Sequence, residues 1–199
     1  RIVVGMPGKH NVLNALGAIS VALELDMGIG DIKKGLRNLG GLERRFQVKG
    51  ERNDILVLDD YGHHPTEISA TLETARECWS HKRLVVVFQP HRFTRTEALY
   101  DRFVISFNQA DVLIVAPLYS AGESPIAGVD AEWLYRGIKE HGHRQVILCQ
   151  SHDEVLQVLL DLIKPGDLVM TLGAGDIYYV GEKLLDKLGA KSKEQRAKR

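Results

Sequence analysis

The sequence predicts an α/β fold: a Rossmann-like open, mostly parallel sheet with helices on both faces, preceded by helices of a separate unit. Three observations lead there. Short apolar runs with many β-branched residues recur beyond residue 50; each is followed by a polar loop and then by helical patterning; and residues 1–45 hold helical patterning only.

The elements follow in chain order. Residues 12–25, VLNALGAISVALEL, are apolar on nearly every side, the pattern of a helix buried all round. Asp31 opens a second short helix, DIKKGLRNL, which Gly40-Gly41 ends. Phe46 to Asp54 is polar and mixed, and marks a boundary near residues 44–50. Beyond it, Ile55–Leu58, Leu84–Phe88, Val112–Ala116, Val146–Leu148 and Leu168–Met170 run without alternation, as strands covered on both faces do. Helices over 66–79, 95–109, 131–140, 152–163 and 176–188 lie between or after them and supply right-handed crossovers. Residues 191–199 are basic and without apolar periodicity, which predicts a disordered tail. No internal repeat or low-complexity segment occurs.

Composition bounds the function. The 199 residues carry 26 Lys+Arg against 26 Asp+Glu, a formal net charge of zero, which excludes a general nucleic-acid binder because such proteins need a basic face. With 44% hydrophobic and 26% charged residues the chain is not globally disordered. Leu84–Phe88 is far too short to cross a bilayer, and no secretory segment opens the chain. Cys78 and Cys149 stand in no metal or redox spacing, which fits a cytoplasmic protein. The opening Arg1-Ile2-Val3-Val4 lacks Met, as expected of a segment of something longer.

Polar residues collect after the strands, in loops that a parallel sheet brings to one edge, where open α/β sheets bind ligands. After the first strand comes Asp59-Asp60-Tyr61-Gly62-His63-His64-Pro65-Thr66-Glu67, with Pro65 suited to the first helical position and Glu67 to the first turn. After the second comes Gln89-Pro90-His91-Arg92-Phe93-Thr94-Arg95-Thr96-Glu97, where Thr94 and Glu97 have capping-box spacing. Tyr119-Ser120-Ala121-Gly122-Glu123 and Gly173-Ala174-Gly175-Asp176 follow later strands. Arg92 and Arg95 either form an anion trap for a carboxylate or phosphate, or pair with Asp101 or Glu97. Asp59, Asp60, His63 and His64 admit a metal reading, but adjacent histidines diverge, and a ribose or substrate contact needs fewer assumptions. His141-Gly142-His143 reads as surface decoration in a turn, and Gly173-Ala174-Gly175 as a tight strand-to-helix turn. Gly5-Met6-Pro7-Gly8-Lys9-His10 lacks phosphate-loop spacing. Asn11 and Asn14 open the first helix with His10; an Asn amide matches the edge of adenine, and helix capping by Asn11 explains it equally well.

Gly8-Lys9-His10-Asn11-Val12-Leu13-Asn14-Ala15, Arg44-Arg45-Phe46-Gln47, DDYGHHPTE at 59–67 and QPHRFTRT at 89–96 occur in this order, and together closely resemble the C-terminal portion of the Mur ligase family over residues 5–188. The resemblance implies that residues 1–45 end a central ATPase domain and that residues 46–190 form the C-terminal Rossmann-like domain. It implies a bacterial enzyme of peptidoglycan precursor synthesis that joins L-alanine to UDP-N-acetylmuramate through an acyl phosphate, driven by ATP. The phosphate loop and the Mg²⁺ ligands would lie upstream, on the missing N-terminal and central domains, so this segment alone would be inactive. By the same resemblance Asn11 and Asn14 approach adenine, Arg45 the phosphates and Asp60 the ribose. Tyr61, His63, His91, Arg92 and Arg95 face the alanine and the acyl phosphate, with His63, His91 and Arg95 catalytic. Ligand groups on both sides of residues 44–50 imply a hinge that closes on bound ATP. Two other readings stay open: a free-standing nucleotide or amino-acid binding module without catalysis, and a metal-dependent hydrolase built on Asp59, Asp60, His63 and His64.

Overall fold

Alternate residues of the central strands feed two separate cores, which is why their sequences are mostly apolar runs. The computed structural model describes residues 1–39 and 41–197, with side chains through Ala190. Helices α1 (Lys9–Glu24) and α2 (Ile29–Asn38) come first. Then follow β1 (Gln47–Arg52), β2 (Ile55–Asp60), α3 (Pro65–Cys78), β3 (Arg83–Phe88), α4 (Phe93–Ala98), α5 (Tyr100–Phe103) and β4 (Val112–Val115). The chain ends with α6 (Ala131–Glu140), β5 (Val146–Leu148), α7 (His152–Leu162), β6 (Asp167–Leu172) and α8 (Tyr178–Ala197). The sheet order is β1-β2-β6-β3-β4-β5, parallel except for β1.

Leu56, Leu58, Val86 and Phe88 point to one face, where Ile68 and Leu72 of α3, Phe103, Phe107 and Leu134 meet them. Val57, Val85, Val87 and Ile114 point to the other, against Val155, Leu159, Val180 and Leu184 of α7 and α8. Handedness dictates this division. The chain advances across the sheet from β2 to β5 with its helices on one face, and returns to β6 with α7 on the opposite face. β6 enters between β2 and β3, so the loops after β2, β6 and β3 share the middle of the carboxyl edge.

The structure corrects the sequence reading at five places. Residues 46–54, read as a polar boundary segment, contain β1, an antiparallel edge strand closed by Asn53-Asp54, both at positive φ as a tight hairpin requires. Its exposed residues and the register shift between Val48 and Gly50 hide the alternation. Helix α1 is not buried all round: among its residues only Asn11 and Ala15 are buried, whereas Val12, Leu13, Leu16, Val21 and Leu23 are exposed, because among the described elements its main packing partners are α2 and α3. Helix α2 begins at Ile29 and ends at Asn38; Gly40 lies outside the described residues. The 95–109 helix is two pieces broken at Leu99, the first starting at Phe93. Helix α8 runs to Ala197 where a disordered tail was expected from 191, in keeping with the Lys, Glu, Gln, Arg and Ala content there; residues 198 and 199 lie outside the described residues.

Candidate functional site

The two carboxylates at the end of β2 are both anchored by hydrogen bonds within the fold. Asp59 is fully buried: Arg44 Nε donates to its Oδ2 (3.0 Å) and Thr171 Oγ1 to its Oδ1 (2.6 Å). Asp60 accepts from the Phe46 amide (2.7 Å) and from the Gly62 amide (2.7 Å), tying the 42–46 turn to the strand end. Burial pushes the Asp60 pKa up, against the pull of those two amides and of Arg45. The next residues start α3. His64 caps it by accepting from the Thr66 amide, Pro65 stands first, and Glu67 accepts from the amides of His63 and His64, as Pro65 and Glu67 led one to expect.

Sequence reasoning missed Arg44. Besides Asp59, its guanidinium donates to the carbonyls of Gly175 (3.0 Å) and Gly173 (2.5 Å) and lies over the rings of Tyr61 and Tyr178. Nothing local marks it, since the acceptors of its guanidinium lie 15 to 131 residues away. The Gly173-Ala174-Gly175 turn is as tight as expected. A Cβ on Gly175 would stand 2.3 Å from the Oε1 of buried Gln89, which itself accepts from the Ile177 amide while its Nε2 donates to Asp176.

Beside the Asp60 anchor a cavity of about 580 Å³ opens between α1, α2, the 42–46 turn and the start of α3. Asn11, Asn14, Arg45 and Asp60, which the resemblance assigns to ATP, all line it, together with His10 and Glu67. Asn11 neither caps α1, which starts on Gly8 without a side-chain cap, nor leaves its amide idle: Nδ2 donates to the Pro7 carbonyl (2.6 Å). Arg45 lies 3.7 Å from Glu67 and over the Tyr61 ring, so the cavity's cationic wall borders the next cluster.

That cluster is a row of rings along the carboxyl edge. Tyr61 meets His63 edge-on (centroids 5.3 Å), His63 lies 5.8 Å from His91, and His91 stacks on Tyr119 at 5.4 Å and 11°. The two imidazoles have opposite polarity. His63 Nδ1 faces the Tyr61 carbonyl at 3.0 Å, and a carbonyl only accepts, so the ring proton sits on Nδ1 and Nε2 is an open base. His91 Nδ1 faces Arg95 Nη1 at 3.2 Å, and a guanidinium only donates, so the neutral His91 carries its proton on Nε2. Burial first, then the charges of Arg95, His63 and Arg92, hold the His91 pKa below the ordinary imidazole value. In a pH titration followed by the imidazole Cε1 proton resonance, His91 should therefore titrate below free histidine, and Arg95→Gln should move it part of the way back. His91's contribution to stability is complete above the ordinary imidazole pKa and is lost as pH falls through the lower folded value.

Arg92 caps α4 at φ 73°, with its Nη1 4.0 Å from Glu123 Oε1. The arginines pair with neither Asp101 nor Glu97, and the Thr94–Glu97 box does not form. Glu123 accepts from both the amide and the hydroxyl of Thr94 (3.1 and 2.7 Å), satisfying the helix start from a distant loop. Arg95 thus sits on the His91 side of this loop and Arg92 on the Glu123 side. His143 is not surface decoration: both ring nitrogens are buried, and burial lowers its pKa.

No group of three His, Cys, Asp or Glu among the described residues is arranged to hold a metal ion, and the Asp59 and Asp60 oxygens are already engaged, so these residues do not fit Mg²⁺. No described helix is long and apolar enough to cross a membrane.

A family model described as Mur ligase, glutamate ligase domain, matches residues 44–175. The chain belongs to the Mur ligase family. Its curated relatives include the UDP-N-acetylmuramate–L-alanine ligase of Desulforapulum autotrophicum, 54% identical over 187 residues. That of Geotalea daltonii is 56% identical over 188 residues. Each comparison covers 94% of this chain and 41% of the relative, so the chain spans about two fifths of their length. Among solved structures, the UDP-N-acetylmuramate-alanine ligase of Thermotoga maritima superposes with a TM-score of 0.79 at 26% identity, over 96% of this chain and 40% of that one. A murein peptide ligase from Psychrobacter arcticus gives 0.72 at 26% identity, over 94% and 38%. The family that DDYGHHPTE and QPHRFTRT resemble is thus the family to which the chain belongs, and its α/β fold is the Mur ligase C-terminal fold.

Proposed function

We propose that this chain supplies the amino-acid end, and one wall of the ATP site, of a ligase that joins L-alanine to the lactyl carboxylate of UDP-N-acetylmuramate. The observation that carries this reading is the contact of two clusters predicted for different ligands. The cavity holding Asn11, Asn14, Arg45 and Asp60 borders the row Tyr61–His63–His91–Arg95 through Arg45 over Tyr61. High identity to proteins named for this reaction supports it.

A free carboxylate is a poor electrophile at neutral pH, so ATP must first convert it to an acyl phosphate, which the alanine amine then attacks with loss of phosphate. The groups here suit the second step. Arg92 and Arg95 offer guanidinium forks to the alanine carboxylate, leaving its amine directed at the reaction centre. His63, with Nε2 open, takes a proton from the ammonium as it becomes a nucleophile. His91, with its proton on Nε2, donates to the oxygen on which negative charge builds. Asn11 and Asn14 face adenine, Arg45 the phosphates and Asp60 the ribose side of the cavity. Mg²⁺ would neutralise phosphate charge from ligands outside this chain. The division at residues 45 and 46 falls in a turn that Asp60 and Arg44 fasten to the sheet, so closure on ATP would carry the ring row with it.

The test is phosphate release by an enzyme of the relatives' full length that contains this segment. Release should require UDP-N-acetylmuramate, ATP and L-alanine together, and hydroxylamine should trap the acyl phosphate when alanine is withheld. Equal release without alanine, or none with all three, would refute the reading.

A further inference from the structure

One loop on the carboxyl edge is bound to the proposed alanine cluster at both of its ends. Tyr119 follows β4 and pairs with the 89–95 loop through backbone alone: its amide donates to the Pro90 carbonyl (2.8 Å) and its carbonyl accepts from the Arg92 amide (2.8 Å). These bonds lay the Tyr119 ring flat against His91, 5.4 Å between centroids and 11° from parallel. Gly175 packs against the base of the ring, where a Cβ would come within 2.8 Å of Tyr119 Cγ, so main chain backs that side. The chain then reverses through Ala121 (φ 51°) and Gly122 (φ 84°), with the Glu123 amide donating to Ser120 (3.0 Å). That turn carries the Glu123 carboxylate back to Thr94 and to Arg92 on the far side of the same loop.

We propose that residues 119–123 are a positioning strap for the alanine end of the site: Tyr119 fixes the plane of His91 by stacking, and Glu123 holds the Arg92 guanidinium toward the substrate carboxylate. Neither residue needs to touch the reacting atoms. Glu123 accepts one hydrogen bond from Thr94 at each oxygen and stands 4.0 Å from Arg92 Nη1, beyond hydrogen-bond distance, so it orients Arg92 by charge and leaves that guanidinium donor to a ligand. The strap rests on the ligase reading above and adds a division of labour to it. Tyr119 should govern turnover through His91, and Glu123 should govern alanine affinity through Arg92.

Steady-state kinetics of the full-length enzyme separate these effects. Tyr119→Ala should lower kcat about a hundredfold, the cost of a misplaced catalytic group, with the KM for ATP unchanged. Tyr119→Phe, which keeps the stack and loses only the hydroxyl, should restore kcat to within twofold of the parent. Glu123→Gln keeps an oxygen for Thr94 but no charge for Arg92, and should raise the KM for alanine about three- to fivefold, as for a half-exposed ion pair, with kcat and the KM for ATP unchanged. A purely structural loop would instead lower thermal stability and move all three constants together. Should Tyr119→Ala not fold, Glu123→Gln and Tyr119→Phe decide the matter. Parent-like kinetics in Tyr119→Ala and Glu123→Gln, or a Tyr119→Phe enzyme as slow as Tyr119→Ala, would overturn the strap. An inactive parent would instead overturn the ligase reading.

Discussion

Arg44→Met should destabilise the protein by about 3–5 kcal/mol, the cost of stranding a buried charge. Asp59 has no exposed surface, and the Arg44 side chain is only 16% exposed, so solvent does not screen the pair. Methionine fills much of the same volume and leaves the carboxylate with Thr171 as its remaining side-chain partner. It also strips the donors from the carbonyls of Gly173 and Gly175 and the cation from between Tyr61 and Tyr178. Urea unfolding followed by circular dichroism measures the loss. A double-mutant cycle with Asp59→Asn should show coupling, because the asparagine removes the charge that makes the single change so costly. A loss below about 1 kcal/mol, the range of a surface pair, would mean that Arg44 does not anchor the 42–46 turn to the sheet.

Arg95→Ala in the full-length enzyme should lower kcat/KM for alanine by about 10²–10³-fold while leaving the KM for ATP nearly unchanged, as expected when one member of a desolvated charge-assisted contact is removed. Two losses combine. The guanidinium fork for the substrate carboxylate goes, and with it the donor that keeps the His91 proton on Nε2. Arg95→Lys should recover part of the KM effect, because it restores charge without the planar fork. Arg92 is half exposed and reaches Glu123 only at 4.0 Å, so Arg92→Ala should act on the alanine KM alone, by about tenfold, the equivalent of 1.4 kcal/mol. Equal effects of Arg95→Ala on the ATP and alanine constants would remove it from the amino-acid end. The two experiments probe opposite sides of one junction: Arg44 fixes the frame from which Tyr61 projects, and Arg95 polarises the imidazole at the row's other end.

The central strands were legible because a strand covered on both faces is apolar at most positions: β2, β4 and β6 are buried throughout and β3 beyond Arg83, with their buried polar residues Asp59, Asp60, Asp167 and Thr171 toward the strand ends. Strand β1 was not. One of its faces meets α8, where Lys49 pairs with Glu182, and the other meets water, so neither alternation nor a continuous run survives. The start of α3 was legible because Pro65 and Glu67 act within one turn of the chain. The start of α4 misled because its capping carboxylate, Glu123, arrives from a loop 29 residues away while Glu97 has the right local spacing. For α1 the apolar composition was read as burial, yet composition reports what a surface is made of and not what lies against it.

The sequence alone determined the layer architecture, the gathering of polar loops on one edge and the family, for each depends on local periodicity or on contiguous motifs. The tertiary structure decided which of those polar residues remain available for ligands. Asp59 and Asp60 look alike in sequence, but one is neutralised by Arg44 and the other is tied to two amides. His63 and His91 likewise differ in what faces Nδ1, a carbonyl or a guanidinium, and that difference makes one an open base and the other a donor. The physical reason is the same in both pairs. A polar group's chemistry is set by the partner that first claims its lone pairs or protons. For Asp59 the folded sheet brings those partners, Arg44 and Thr171, from 15 and 112 residues away, whereas His63 and His91 meet theirs, Tyr61 and Arg95, two and four residues away through loop conformations that the sheet edge holds in place.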